Sequence, residues 1–190
     1  MEIGKKITDE DFLLLCKEFD IEEKLIKTVI NVETVGYGFY KKDKKIPIVR
    51  FENHIFDKLT KSKYRKSNPE LTTPYWIKNY NLKGVSEYDR LNKAFELDEK
   101  CALLSTSWGL AQIMGFNYKL CGYRTIEDFC RAMFTSEYLQ LKAMLTYLTE
   151  TNIINNLKQK DWITFAKLYN GKNYEENKYP EKMKSYYFNN

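Results

Sequence analysis

Histidine is nearly absent from this chain of 190 residues, in which His54 is the only one. A single histidine excludes motifs that bind a metal through two histidines, and it leaves one candidate for a Cys-His or Ser-His dyad. Cysteine is also scarce, and its positions show neither the paired spacing of a zinc site nor the density of a disulfide scaffold: Cys16, Cys101, Cys121 and Cys130. We therefore expect reduced, buried thiols, no bound metal and no cofactor.

Long apolar runs are missing as well. The opening stretch "MEIGKKITDEDF" lacks the apolar core of a signal peptide, and no window approaches the ~18 apolar residues of a membrane span. We expect a protein that is made in the cytoplasm without a signal peptide and that does not associate stably with a membrane. If it acts outside the cell, another factor must release it.

The charge of the chain is modest, because 31 basic and 26 acidic residues give a formal net charge of +5. No predicted helix concentrates its lysines on one face between aromatic residues, so we expect no nucleic-acid partner. A weak positive field would suit a polyanionic partner such as a bacterial envelope, and it would equally serve solubility. With 43% hydrophobic residues the chain suits one core, and we expect a single domain over residues 1–190 and a monomer.

The spacing of apolar residues predicts two helices at the start of the chain and a further helix over residues 53–63. Thr8 can cap a first helix. Asp20, followed by Glu23 three residues later, resembles a capping box that opens a second helix, which should run to about Glu33.

A turn and a hairpin should follow the second helix. Gly36 and Gly38 end that helix, and "GFYKKDKKIPIVRFE" has the pattern of a hairpin whose second strand spans residues 46–51. Residues 64–85 contain two prolines and a glycine, and they predict a long surface loop.

Further helices are predicted in the second half of the chain, with Thr125 as one N-cap. Their expected spans are 86–97, 98–108, 125–147 and 161–170, the last ended by Gly171. The expected fold class is therefore mainly α with one small β-hairpin.

A carboxylate at the end of the second helix is the first candidate for chemistry. Cleavage of a glycosidic bond needs a carboxyl group that is protonated near neutral pH, and an apolar environment raises the pKa of such a group. Glu33 meets this requirement, since small and aromatic residues follow it at 36–39. Alternatively, Glu33 is a solvated residue in a last helical turn, where a negative charge is slightly unfavourable.

Two further stretches carry candidate site residues. "SWGLAQIMG", residues 107–115, places the polar Gln112 among apolar neighbours, and its structural alternative is the start of a buried helix. "YNG", residues 169–171, ends a helix with two polar side chains, and its structural alternative is a simple C-terminal stop signal.

Taken together, four segments resemble the N-acetylmuramidase family found in phage endolysins and related peptidoglycan hydrolases. They are "VETVGYGF", "IPIVRFENHIF", "ALLSTSWGLAQIMGFNY" and "DWITFAKLYNG". The resemblance covers roughly residues 20–187, and the third segment is the most specific. It implies a lysozyme-like fold and, as substrate, a bacterial peptidoglycan strand.

The resemblance also implies roles for individual residues. Glu33 matches the catalytic glutamate, which would protonate the leaving oxygen of the β-1,4 bond between N-acetylmuramic acid and N-acetylglucosamine. By the same analogy Ser107, Gln112, Tyr169 and Asn170 would line the cleft, with Tyr37 as a stacking face for sugar.

A second carboxylate is expected at Glu52, because a hairpin that leaves the catalytic helix folds back beside it. Glu52 would activate water, stabilise positive charge, or simply anchor Arg50 or His54. Asp43, in a predicted turn, and Asp98, at a predicted N-cap, have structural explanations instead.

The three tryptophans divide between the core and the surface. Trp108 and Trp162 fall in apolar helical patterns and are expected in the core. Trp76 lies in the predicted loop, where its side chain could bind glycan.

Two other functions remain open from the sequence. A lytic transglycosylase would use the same glutamate but would leave a 1,6-anhydro product, and an inactive domain would only bind the wall. The missing signal peptide favours phage lysis, with release through a membrane pore.

Overall fold

The computed structural model describes residues 3–34, 36–41, 45–75, 86–171 and 174–189. The expectations for Asp43 and Trp76 lie outside the described residues. None of the helices in the described ranges is long and apolar enough to span a membrane.

The described chain is mostly helical, and its strands form one small sheet, as the sequence predicts. The helices are α1 (Asp9–Phe19), α2 (Glu23–Thr34), α3 (Asn53–Leu59), α4 (Glu87–Leu97), α5 (Glu99–Leu104), α6 (Ile126–Thr135), α7 (Glu137–Glu150), α8 (Ile154–Lys158), α9 (Trp162–Asn170) and α10 (Tyr179–Asn189). The strands are β1 (Val49–Phe51), β2 (Thr106–Trp108) and β3 (Ile113–Met114).

The boundary between α1 and α2 differs from the prediction. Thr8 caps α1 as expected, and its side chain accepts a hydrogen bond from the backbone N–H of Asp11. The predicted capping box of Asp20 and Glu23 is wrong, because Asp20 instead ends α1 in a left-handed conformation with φ of 49°. An aspartate tolerates this conformation better than most residues, so it can stop one helix just before the next begins.

The sheet joins two distant segments of the chain. β1 pairs antiparallel with β2, with Arg50 opposite Ser107, and β2 pairs antiparallel with β3. The predicted hairpin that contains β1 forms a short antiparallel pairing in the described residues: Phe39 bridges Pro47, and the backbone N–H groups of Tyr40 and Ile48 bond to the carbonyls of Ile46 and Gly38. The helix predicted over 98–108 is wrong beyond Leu104, since residues 106–108 form β2 instead. This strand is buried along its whole length. A short, fully buried strand has no alternation that would distinguish it from a helix.

The long helix predicted over 125–147 is divided into α6 and α7. Thr125 caps α6 as expected, but Ser136 is extended and becomes the N-cap of α7. The N-terminal segment occupies the break, since the backbone N–H of Lys5 bonds to Thr135 and the carbonyl of Lys5 accepts from Glu137. A contact more than 100 residues away in sequence therefore decides where α6 ends.

One hydrophobic cluster connects the helices and the sheet, and it contains both Trp108 and Trp162, as predicted. None of the four cysteines forms a disulfide, and burial raises the pKa of Cys121 and Cys130 to about 12. Cys16 and Cys101 are only partly buried. Helix α10, which the sequence analysis did not predict, packs against α2 and α9. This packing brings Tyr179, the first residue of α10, next to the end of α2, whereas Tyr187 near the end of α10 bonds to Glu22 just before α2 begins.

Candidate functional site

A cleft of about 410 Å³ opens where the end of α2 faces the small sheet. Helix α2 supplies one wall, β1 and the turn from β2 to β3 supply the other, and the first residue of α10 completes the site. The lining residues are Glu33, Ile48, Arg50, Glu52, Ser107, Gln112, Met114 and Tyr179. The two predicted carboxylates therefore line the same cleft.

Glu33 is the most strongly perturbed acid of this cleft. It is partly exposed, but protein surrounds most of its side chain, and this burial raises the pKa of its carboxyl group to about 7. Asn170 and the ammonium group of Lys182 favour the charged form and oppose the rise. Burial outweighs both, so a large fraction of Glu33 is protonated near neutral pH.

Glu52 follows β1 and is held by a charged neighbour. Its Oε1 lies 3.2 Å from Nε of Arg50, and its Oε2 lies 3.6 Å from Nδ1 of His54. Burial raises the pKa of Glu52, and Arg50 opposes this change. Burial and Arg50 lower the pKa of His54, so its imidazole is neutral near pH 7 and Arg50 supplies the positive charge.

Ser107 and Gln112 form a hydrogen-bonded pair in the opposite wall. The Ser107 hydroxyl donates to Oε1 of Gln112 at 3.1 Å, and Nε2 of Gln112 donates to the carbonyl of Gly109 at 2.8 Å. Gln112 has a φ of 49°, which is uncommon for a residue other than glycine. Strained backbone of this kind often occurs at functional sites, and here it directs an amide side chain into the cleft.

Tyr169 and Asn170 stand behind Glu33 and do not line the open part of the cleft. The Tyr169 hydroxyl donates to the carbonyl of Ala111 at 2.8 Å, and its ring stacks on Phe165. This bond ties α9 to the turn between β2 and β3. Nδ2 of Asn170 is buried without a hydrogen-bond partner of standard geometry, although the residue interacts with the carboxylate of Glu33.

Tyr37 lies outside the cleft, in an adjoining cavity of about 360 Å³. Ile48 lines both spaces. No group of three or more histidine, cysteine, aspartate or glutamate residues within the described ranges could hold a metal ion.

The family model of N-acetylmuramidase matches residues 22–189 of this sequence. The chain belongs to the N-acetylmuramidase family. It is a lysozyme-type glycoside hydrolase whose substrate is peptidoglycan.

A solved structure supports this assignment. The crystal structure of Burkholderia AP3 phage endolysin is similar, with a TM-score of 0.83 and 32% sequence identity over 96% of this chain and 70% of that chain. A search of curated protein sequences found no match.

Sequence reasoning missed Tyr179 of this muramidase. Tyr179 lines the cleft, and burial together with the charge of Glu33 raises the pKa of its hydroxyl to about 12. Pro180 was a signal for the start of α10, because proline favours the first turn of a helix. Helix α10 is polar, so no clear apolar face indicated it in the sequence. Only its packing against α2 shows that Tyr179 reaches the cleft.

A pair of buried side chains on α7 was also missed, and it supports two loops of the enzyme's cleft. Oε1 of Glu137 accepts from the backbone N–H of Gly38 at 3.0 Å, and Oε1 of Gln140 accepts from that of Leu110 at 2.8 Å. A Cβ atom at Gly109 would lie 2.6 Å from Cδ of Gln140, so the loop must approach α7 without a side chain. Helix α7 thus holds both loops in place.

Proposed function

We propose that this enzyme hydrolyses the β-1,4 bond between N-acetylmuramic acid and N-acetylglucosamine, with Glu33 as general acid. The pKa of about 7 at Glu33 carries the proposal, because a general acid must hold its proton near neutral pH. The position of Glu33 in a cleft with polar side chains opposite supports the same role.

The reaction would begin when Glu33 gives its proton to the oxygen between the two sugars. That C–O bond breaks, and the sugar ring acquires oxocarbenium character and positive charge. Water then adds to the anomeric carbon and loses a proton to a carboxylate, which completes hydrolysis.

Glu52 is the proposed second carboxylate. Its contact with Arg50 favours the charged form, and a carboxylate in the same cleft can stabilise the positive sugar ring or take the proton from water. The anomeric form of the first product distinguishes the two roles: a retained β-product supports the former, and an inverted α-product supports the latter.

The other predicted residues would hold the glycan. Ser107 and Gln112 present an ordered hydroxyl and amide to hydroxyl or acetamido groups. Asn170 and Tyr169 support Glu33 from behind, whereas Tyr37 lies in the adjoining cavity and outside the cleft.

The biological setting that we propose is bacteriolysis during phage release, because the similar structure belongs to a phage endolysin. We further propose that residues 1–190 act as a single catalytic domain and as a monomer.

The reaction is tested by digesting purified peptidoglycan and identifying the new ends by mass spectrometry. New reducing ends on N-acetylmuramic acid are expected with wild type and not with Glu33→Gln. Reducing N-acetylglucosamine would contradict the proposed bond, and 1,6-anhydro ends would show that the enzyme is a lytic transglycosylase.

A further inference from the structure

The adjoining cavity borders the catalytic cleft but differs from it in chemistry. Its lining consists of Tyr37, Phe39, Tyr40, Lys41 and Ile48, and Ile48 also lines the cleft. A ligand that fills the cleft can therefore extend a branch into this second space.

The walls of this cavity are almost entirely apolar. Two of the described lysines place ammonium groups beside it, with Nζ of Lys41 at 4.6 Å and Nζ of Lys6 at 5.6 Å from the centre of the Tyr37 ring. Apolar walls offer few partners for the hydroxyl groups of a sugar, whereas they suit methyl groups. Ammonium groups at an apolar surface suit a carboxylate.

The segment that carries these residues is held in place by the body of the enzyme. Phe39 is buried, the ring of Tyr40 packs edge-on against Tyr88 at 6.1 Å, and the Tyr88 hydroxyl donates to the carbonyl of Pro47 at 3.0 Å. The wall is thus formed before any ligand arrives, which reduces the entropy lost on binding.

We propose that this cavity binds the peptide stem of the muramyl residue, an inference that rests on the proposed function. The stem leaves the muramyl ring as a lactyl ether, continues through an alanine, and then presents the carboxylate of an acidic residue. The lactyl and alanyl methyl groups contact Tyr37 and Ile48, and the carboxylate approaches Lys41 and Lys6.

The test compares two substrates prepared from the same cell walls: intact peptidoglycan, and glycan strands from which an amidase has removed the stems. Steady-state kcat and KM are measured for wild type, Tyr37→Ala and Lys41→Glu. Lys17→Glu, an exposed position on α1 that lines neither cavity, controls for the change in net charge. Glu33→Gln gives the background, and thermal melting checks that each variant is folded.

Wild type is expected to show a higher kcat/KM on intact peptidoglycan, mainly through KM. On that substrate Tyr37→Ala should lose about ten-fold in kcat/KM and Lys41→Glu about three-fold, and both should match wild type within about two-fold on stem-free strands.

Equal losses on both substrates would overturn the inference and assign the cavity to a sugar ring. Unchanged kinetics in both variants would overturn it as well. In either case wild type still cleaves both substrates and the proposed function stands. Failure of wild type to cleave either substrate would overturn the proposed function itself.

Discussion

Replacing Glu33 with glutamine should remove activity and, at alkaline pH, make the folded protein more stable. The unfolded chain loses the Glu33 proton near the ordinary pKa of 4.5, whereas the folded protein retains it until about pH 7. Between these values the folded state holds the additional proton, so the stability of the wild type falls as pH rises.

The size of the effect follows from the same shift. Roughly 1.4 kcal/mol per pKa unit converts the rise from 4.5 to about 7 into a cost of about 3 kcal/mol above pH 7. Glutamine carries no charge and avoids this cost. Glu33→Gln should therefore unfold at a temperature roughly 6 to 12 °C higher than wild type at pH 8, and close to wild type at pH 4.

The assay combines lysis of purified cell walls with thermal and urea unfolding at pH 4, 6 and 8. Glu150→Gln is the matched control, because Glu150 is exposed at the end of α7 and the substitution should change neither property. Lysis by Glu33→Gln would refute the catalytic assignment. An unfolding difference that does not grow with pH would refute the buried, proton-retaining state of Glu33.

Three further predictions concern the neighbours of Glu33. Lys182→Met should raise the pKa of Glu33, because Lys182 favours its charged form, so the alkaline fall in lysis rate should move to higher pH; an unmoved profile would contradict this coupling. Glu52→Gln should reduce kcat severely while the protein stays folded, and full activity would leave Glu52 an anchor for Arg50. Gln140→Leu should destabilise the protein by about 1–3 kcal/mol and lower kcat, because it removes the hydrogen bonds of the Gln140 amide to the Leu110 N–H and to the Met133 carbonyl. Urea unfolding and lysis measurements check both effects, and wild-type values in both would show that α7 does not support the loop through Gln140.

Local patterns along the chain were enough to predict most helices. Thr8, Ser86 and Thr125 were readable as helix starts because an N-cap bonds to a backbone N–H only three residues away. Four segments, at residues 32–39, 46–56, 102–118 and 161–171, were enough to suggest the family, which the match to the N-acetylmuramidase family confirmed.

The tertiary structure decided what depends on residues distant in sequence. The pairing of β1 with β2 joins segments nearly 60 residues apart, and the break at Ser136 depends on Lys5. Tyr179 reaches the cleft only because α10 packs on α2. Even the pKa of Glu33 depends on burial by the folded chain, since desolvation by surrounding atoms cannot be determined from sequence spacing. The sequence by itself therefore determined which side chain could carry the proton, and only the tertiary structure provided the environment that retains it.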